Sequence, residues 1–454
     1  MLRTKFLGST EPTIEGHVHP AFSRVADALR RQIASYGGGA AACVYHRGEC
    51  VVDVWGGAMD TDGEPWRRET MAPSFSTTKG VASTLVHILA DRGLVRYDDR
   101  VAEYWPEFAQ AGKDGITIRQ VMAHQSGLYH IRQMIDDASR MRDWRHMIRA
   151  IERATPVHPP GKRTGYHGLT YGFLVGEIAQ RVTGESFSSL VQSEIAGPLG
   201  LDGLYVGAPA QALKRAASLM WSDLPWLRYL EPAEKGASRL APMFARAASR
   251  LTPLARIVGI ELDLESLLDA LAPRGISVFD FGSSETLRAA IPSGNGLFTA
   301  RSLARMYALL ADGGELEGVR LLSKEAVACA TELQARVAGR SVLPFDMRWR
   351  LGYHGVYTSR GVPRNAFGHF GFGGSGAWAE PKRRLAVALI VNSGMGTPLG
   401  DLRIVRIGGE ALAAADAYSP RQARPTPKRR TRKVASIKAA SIVRRSRAKA
   451  ATGS

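Results

Sequence analysis

The chain has 454 residues, 45% of them hydrophobic, and a formal net charge of +18. That is long and apolar enough to bury a large core, which excludes a wholly disordered chain and a small disulfide-stapled scaffold. The basicity is uneven: residues 419–454 hold twelve Lys or Arg and no Asp or Glu, so the body, 1–418, is only mildly basic.

The first fifteen residues have neither an apolar core of about seven residues nor a small-residue cleavage pattern, so no signal peptide is expected. No apolar run approaches the roughly 18 residues that cross a bilayer, and the expected location is cytoplasmic. Phe22, Val25, Leu29 and Ile33 recur at helical spacing and stop at Gly37-Gly38-Gly39, which predicts an amphipathic helix over 20–36. Residues 40–46 and 50–55 are β-prone runs around Arg47-Gly48-Glu49, a hairpin pattern. A Gly/Pro-punctuated stretch, 71–75, gives way to a helical run over 80–91, and 116–122 leads into His124-Gln125-Ser126-Gly127-Leu128.

The middle of the chain reads as helical, with a strongly periodic segment over 171–182 that closes at Gly184. Residues 209–275 are less regular and carry Trp221, Trp226, Tyr229, Met243 and Phe244. Strand character returns over 366–371, 376–380 and 385–392, and 401–417 reads as a closing helix. This order predicts an antiparallel sheet assembled from both chain ends with helices packed on it. Cys43, Cys50 and Cys329 lack metal-ligand spacing and read as reduced, mostly buried thiols. With no His-Glu-x-x-His helix either, no metal and no cofactor is expected.

The densest chemistry is Ser76-Thr77-Thr78-Lys79, at the start of a helix. Three residues of spacing put hydroxyl and amine on one face, where a lysine whose charge is suppressed by desolvation can take the serine proton during attack. About one or two such matches arise by chance in a chain of this length, and Ser446-Arg447-Ala448-Lys449 is a second, in the basic tail. What singles out the first is its company. Tyr166-His167-Gly168 follows in the helical middle and His369-Phe370-Gly371 on a late strand.

In this order the three elements resemble those of the serine β-lactamases and penicillin-binding proteins. Residues 122–128 and 166–172 are similar to the β-lactamase-fold carboxylesterases, the family VIII esterases and related lipases. The resemblance runs from about residue 38 to about 417. It implies an α+β, β-lactamase/transpeptidase-like fold: an antiparallel sheet flanked by helices plus a mainly helical subdomain, within one hydrolase domain over 1–418. It also implies Ser76 as nucleophile and Lys79 and Tyr166 sharing the proton work, with an ammonium at Lys79 stabilising a phenolate at Tyr166. Oxyanion donors would be the backbone amides of Ser76 and Phe372, with His369 and Gly371 at the substrate.

Two departures narrow the substrate. Gly168 stands where β-lactam hydrolysis would want an asparagine amide, and His369 where it would want a lysine to anchor a carboxylate. Both favour an uncharged small-molecule ester over a penicillin. His167 either donates a hydrogen bond near the leaving alcohol or is structural, and His124-Gln125-Ser126-Gly127 is expected to be a scaffold loop beneath the site. The segment 209–275 is either a lid over the pocket or an ordinary packed insertion. No Gly-x-Ser-x-Gly elbow occurs, which argues against an α/β-hydrolase esterase. The rival readings are a β-lactamase or D-amino-acid peptidase, and a non-catalytic binding protein of the same fold. The tail, 419–454, is too polar and like-charged to pack and is expected to be disordered, as a solvated arm or as a ligand for an anionic membrane surface or nucleic acid.

Overall fold

The computed structural model describes residues 12–221, 263–335, 337, 339–394 and 401–418. Its centre is a seven-stranded sheet of β1 (Ile14–Val18), β2 (Gly39–His46), β3 (Glu49–Gly57), β4 (His354–Gly355), β5 (Phe367–Phe370), β6 (Gly376–Glu380) and β7 (Leu385–Val391). The order across the sheet is β1-β3-β2-β7-β6-β5-β4, with every neighbouring pair antiparallel. Both chain ends therefore build it, as the pattern of runs predicts. The β2–β3 hairpin closes through Arg47 (φ 55°) and Gly48 (φ 83°), a left-handed pair whose twist matches that of the strands. The short edge strand β4 and the partly exposed β1 lie outside the predicted strand runs.

Five helices set the layers: α1 (Ser23–Tyr36), α2 (Thr78–Asp91), α3 (Thr170–Thr183), α4 (Ala300–Ala311) and α5 (Arg403–Ala417). α1 and α5 pack on one face of the sheet, and α4 on the other, where the core continues into the helical subdomain around α2 and α3. β7 shows why its sequence lacks polar alternation. Ala386, Ala388 and Ile390 enter one core, while Leu385, Val387, Leu389 and Val391 enter the other. α2 is buried at every position from Thr78 to Leu89, so it is a core element and not a surface helix. α3 ends where expected, with Gly184 left-handed (φ 76°) and its N–H bonded to Gln180 O at 2.7 Å.

Of the irregular region 209–275, the described parts are a 3-10 turn at Ala210–Arg215, a short strand at Met220–Trp221 and a helix at Leu264–Leu271. Met220–Trp221 pairs in parallel with Ser393–Gly394. The expected lid residues Trp226, Tyr229, Met243 and Phe244 lie outside the described residues, as do the first eleven residues and the tail. All three cysteines are free thiols, with Cys43 buried and Cys50 and Cys329 half-buried.

Candidate active site

Ser76 lies in a single 3-10 turn, Phe75–Thr77, that feeds into α2. The turn is forced: Phe75 is left-handed at φ 45°, a conformation that costs a bulky residue about 1 to 3 kcal/mol and persists only under external restraint. The restraint is visible. Thr78 Oγ1 donates to Phe75 O at 2.5 Å and accepts from Gly296 N at 2.9 Å, while Ser74 N donates to Gly296 O at 2.9 Å. As a result Ser76 is the one half-buried residue in an otherwise buried run from Met71 to Gly80.

Lys79, one turn on, is completely buried. Its Nζ is 3.0 Å from Ser76 Oγ, 2.6 Å from Gly168 O and 2.9 Å from Ser293 O. Burial holds its pKa well below the ordinary lysine value, so the amine is favoured over the ammonium. Nζ donates to both carbonyls and to Ser76 Oγ, so loss of its third proton would turn a lone pair to the Ser76 hydroxyl. Ser293 is itself fixed, since its Oγ accepts from Gly172 N at 2.6 Å.

Tyr166 completes the group by donating from its hydroxyl to Ser76 Oγ at 2.9 Å. Burial pushes its phenol upward, so it stays protonated. Burial thus favours the neutral form of both partners, and both reach the same oxygen, Ser76 Oγ. The Tyr166 ring stacks on Trp349, with centroids 5.7 Å apart at 13°, and His124 packs 4.2 Å from the same tryptophan.

The late strand supplies the opposite wall. His369 is buried against Tyr166, with Nδ1 donating to Phe370 O at 3.1 Å, and burial keeps it neutral. Gly371 abuts the Phe75–Thr77 turn so closely that a Cβ there would lie 2.4 Å from Ser74 O and 3.0 Å from Thr77 Oγ1. Phe372 is half-buried, with its ring centroid 6.0 Å from that of Phe75 in an edge-on arrangement. Ser76, Lys79, Tyr166, His369, Gly371 and Phe372 thus all converge.

His167 does not, and its assignment to the substrate is corrected. It is fully buried, with Nδ1 donating to Gly165 O at 2.6 Å and Nε2 accepting from Ser126 Oγ at 2.6 Å and Leu128 N at 3.3 Å. Its Nε2 is spent on the loop 124–128 and its Nδ1 on Gly165, and burial takes His167 down to about 3. Gly168 has a role the sequence does not advertise, since its carbonyl holds Lys79. A Cβ there would sit 2.2 Å from Leu271 Cδ2 and 2.8 Å from Ala270 O, so the position is closed to a side chain. Apolar surface comes from Phe75, Phe281 and Phe372 on one side and from Leu267, Leu271 and Trp349 on the other.

An antiparallel sheet meeting a helical subdomain, with a serine, a lysine and a tyrosine at the junction, defines the β-lactamase/transpeptidase-like fold. The chain belongs to the beta-lactamase family, whose model matches residues 26–409. It is 37% identical over 385 residues, 83% of this chain and 82% of that protein, to an esterase/beta-lactamase, LipL, of Mycobacterium tuberculosis. Among solved structures, a family VIII carboxylesterase superposes with a TM-score of 0.72 at 31% identity, over 88% of this chain and 100% of that one. A penicillin-binding protein homologue from Caulobacter crescentus does so with a TM-score of 0.74 at 33% identity, over 88% and 100% of the two chains. The relatives are serine hydrolases of this fold, esterases among them.

Proposed function

We propose that this protein is a serine carboxylesterase acting on uncharged esters through an acyl-enzyme on Ser76. The observation that carries the reading is the convergence of Lys79 Nζ and the Tyr166 hydroxyl on Ser76 Oγ, at 3.0 and 2.9 Å, with burial favouring the neutral amine. Ser76 Oγ attacks the ester carbonyl carbon as its proton passes to Lys79. The resulting oxyanion is met by the backbone N–H groups of Ser76 and Phe372. Collapse breaks the carbon–oxygen bond to the alcohol, which leaves with the proton returned from Lys79 by way of the Tyr166 hydroxyl. Water then attacks the acyl-enzyme, gives its proton to the same pair, and releases the acid and the Ser76 hydroxyl.

Substrate charge follows from what surrounds the serine. A neutral His369 offers no cation to a carboxylate, and the closed position at Gly168 offers no amide to an acylamino group. These features support an ester over a β-lactam or a D-amino-acid peptide. The test is hydrolysis of p-nitrophenyl esters from acetate to palmitate by the wild type and by Ser76→Ala, with nitrocefin in parallel. Ester turnover that disappears in the variant, with little nitrocefin turnover, is the expected result, and the chain-length optimum reports esterase or lipase character. A wild type inactive on every ester, or a variant that keeps its rate, overturns the assignment.

A further inference from the structure

Arg403, the first residue of α5, is 2% exposed, and no step of the proposed reaction uses it. Its Nε lies 3.0 and 2.9 Å from the two carboxylate oxygens of Asp401, and its Nη2 is 2.8 Å from Asp401 Oδ2. The same Nη2 donates to the carbonyls of Gly373 and, at 2.6 Å, Ser393. Gly373 belongs to the turn that joins β5 to β6, and Ser393 follows β7. One guanidinium therefore ties the turn beside the nucleophile to the end of a central strand.

The backbone is shaped to admit it. A Cβ at Gly374 (φ +100°) would lie 2.6 Å from Arg403 Nη2 and 2.8 Å from Asp401 Cγ, and one at Gly394 (φ +147°) would lie 2.2 Å from Nη2. Both positions also lie in the left-handed half of φ space that side chains avoid. The turn itself is held by Gly371 N donating to Ser375 O at 2.7 Å and Gly374 N donating to Gly371 O at 3.2 Å. Between those bonds sit Phe372 and Gly373, so the Arg403 contact to Gly373 O adds a restraint at the apex. A buried ion pair is a poor source of net stability, because desolvation offsets the attraction. Its value lies in fixing geometry.

We infer that the Asp401–Arg403 pair is a positioning element for the oxyanion side of the site, holding the 371–376 turn so that the Phe372 amide meets the developing charge. This rests on the ester-hydrolysis reading above. A donor displaced by about 1 Å, or lost, lowers rate by the order of 100-fold while ground-state binding is untouched. The variant to use is Asp401→Leu with Arg403→Met, which removes both charges and leaves neither buried alone.

The expected result is a fall in kcat/KM of about 10- to 100-fold. The affinity of a trifluoromethyl ketone, which forms a tetrahedral adduct with serine, should fall in parallel. KM, inhibition by the product alcohol and the cooperative melt should stay near wild type. Arg403→Lys, which keeps the charge but not the fork, should fall between. A folded double variant with wild-type kcat/KM overturns the inference. So does an equal loss of ketone and product binding, which reports a general collapse of the pocket. A wild type without Ser76-dependent ester turnover would instead sink the underlying functional reading.

Discussion

Lowering the pH from 7 to 5 should remove roughly 6 kcal/mol of folding stability through three buried histidines alone, which refuse protons that the unfolded chain accepts. His87, between Tyr97 Oη at 2.9 Å and Leu351 O at 3.0 Å, is taken down to about 4 by burial. His354 is likewise lowered to about 4, and His167 to about 3, with burial the leading cause in each. An unfolded histidine titrates near about 6.5. The stability these three contribute is therefore fully present above that value and is lost as pH falls toward 4. Each loses about 1.4 kcal/mol per pH unit inside the window, or about 2 kcal/mol by pH 5, against a usual total of about 5 to 15 kcal/mol. Urea unfolding followed by circular dichroism at pH 7, 6 and 5 measures it as a falling midpoint at constant slope. His354→Gln should remove about 2 kcal/mol of that loss. Identical midpoints at pH 7 and 5 would refute the reasoning. Activity profiles need this control, since an acid limb near pH 5 reports unfolding before it reports the site.

Lys79→Arg should abolish acylation, lowering kcat/KM about a thousandfold or more, because a guanidinium does not act as a free base; near-normal single-turnover acylation would exclude Lys79 as the proton acceptor. Burial holds Lys79 well below the ordinary lysine value, so the rise of kcat/KM with pH should be complete before pH reaches that value. A limb near the ordinary lysine value, about 10.4, would contradict that state. Gly168→Asn meets Leu271 and the Ala270 carbonyl, so it should destabilise by about 1 to 3 kcal/mol without conferring nitrocefin turnover. The melting temperature and a nitrocefin assay read the two halves. The full chain should bind anionic vesicles or duplex DNA more tightly than a chain ending at Tyr418, by an amount that shrinks with salt, as twelve basic residues beyond that point would dictate. Equal binding by the two would leave the tail as a solvated arm.

The grouping of Ser76, Lys79 and Tyr166 was legible because side-chain chemistry is written in residue identity, and the three stand in an order that random matches do not reproduce. β7 was legible for a similar reason, its seven residues all being apolar. What escaped is what identity does not encode. Two of the three contacts of Lys79 are backbone carbonyls, one of them 214 residues away at Ser293, and any residue offers a carbonyl. Arg403 and Asp401 look like ordinary helix-start polar residues until the fold wraps Gly373 and Gly394 around them. His167 misled by adjacency to Tyr166, since neighbours in sequence need not face the same way. Here the tyrosine turns to the serine and the histidine to Ser126.

α2 carries Lys79 in its first turn and is buried along its length to Leu89. The proposed proton acceptor thus sits on a buried helix, whose amide protons are expected to exchange only through global unfolding. Partial loosening should spare turnover. In a denaturant titration, loss of activity and loss of helical signal should trace a single curve, and catalysis becomes a gauge of whether the whole body is folded.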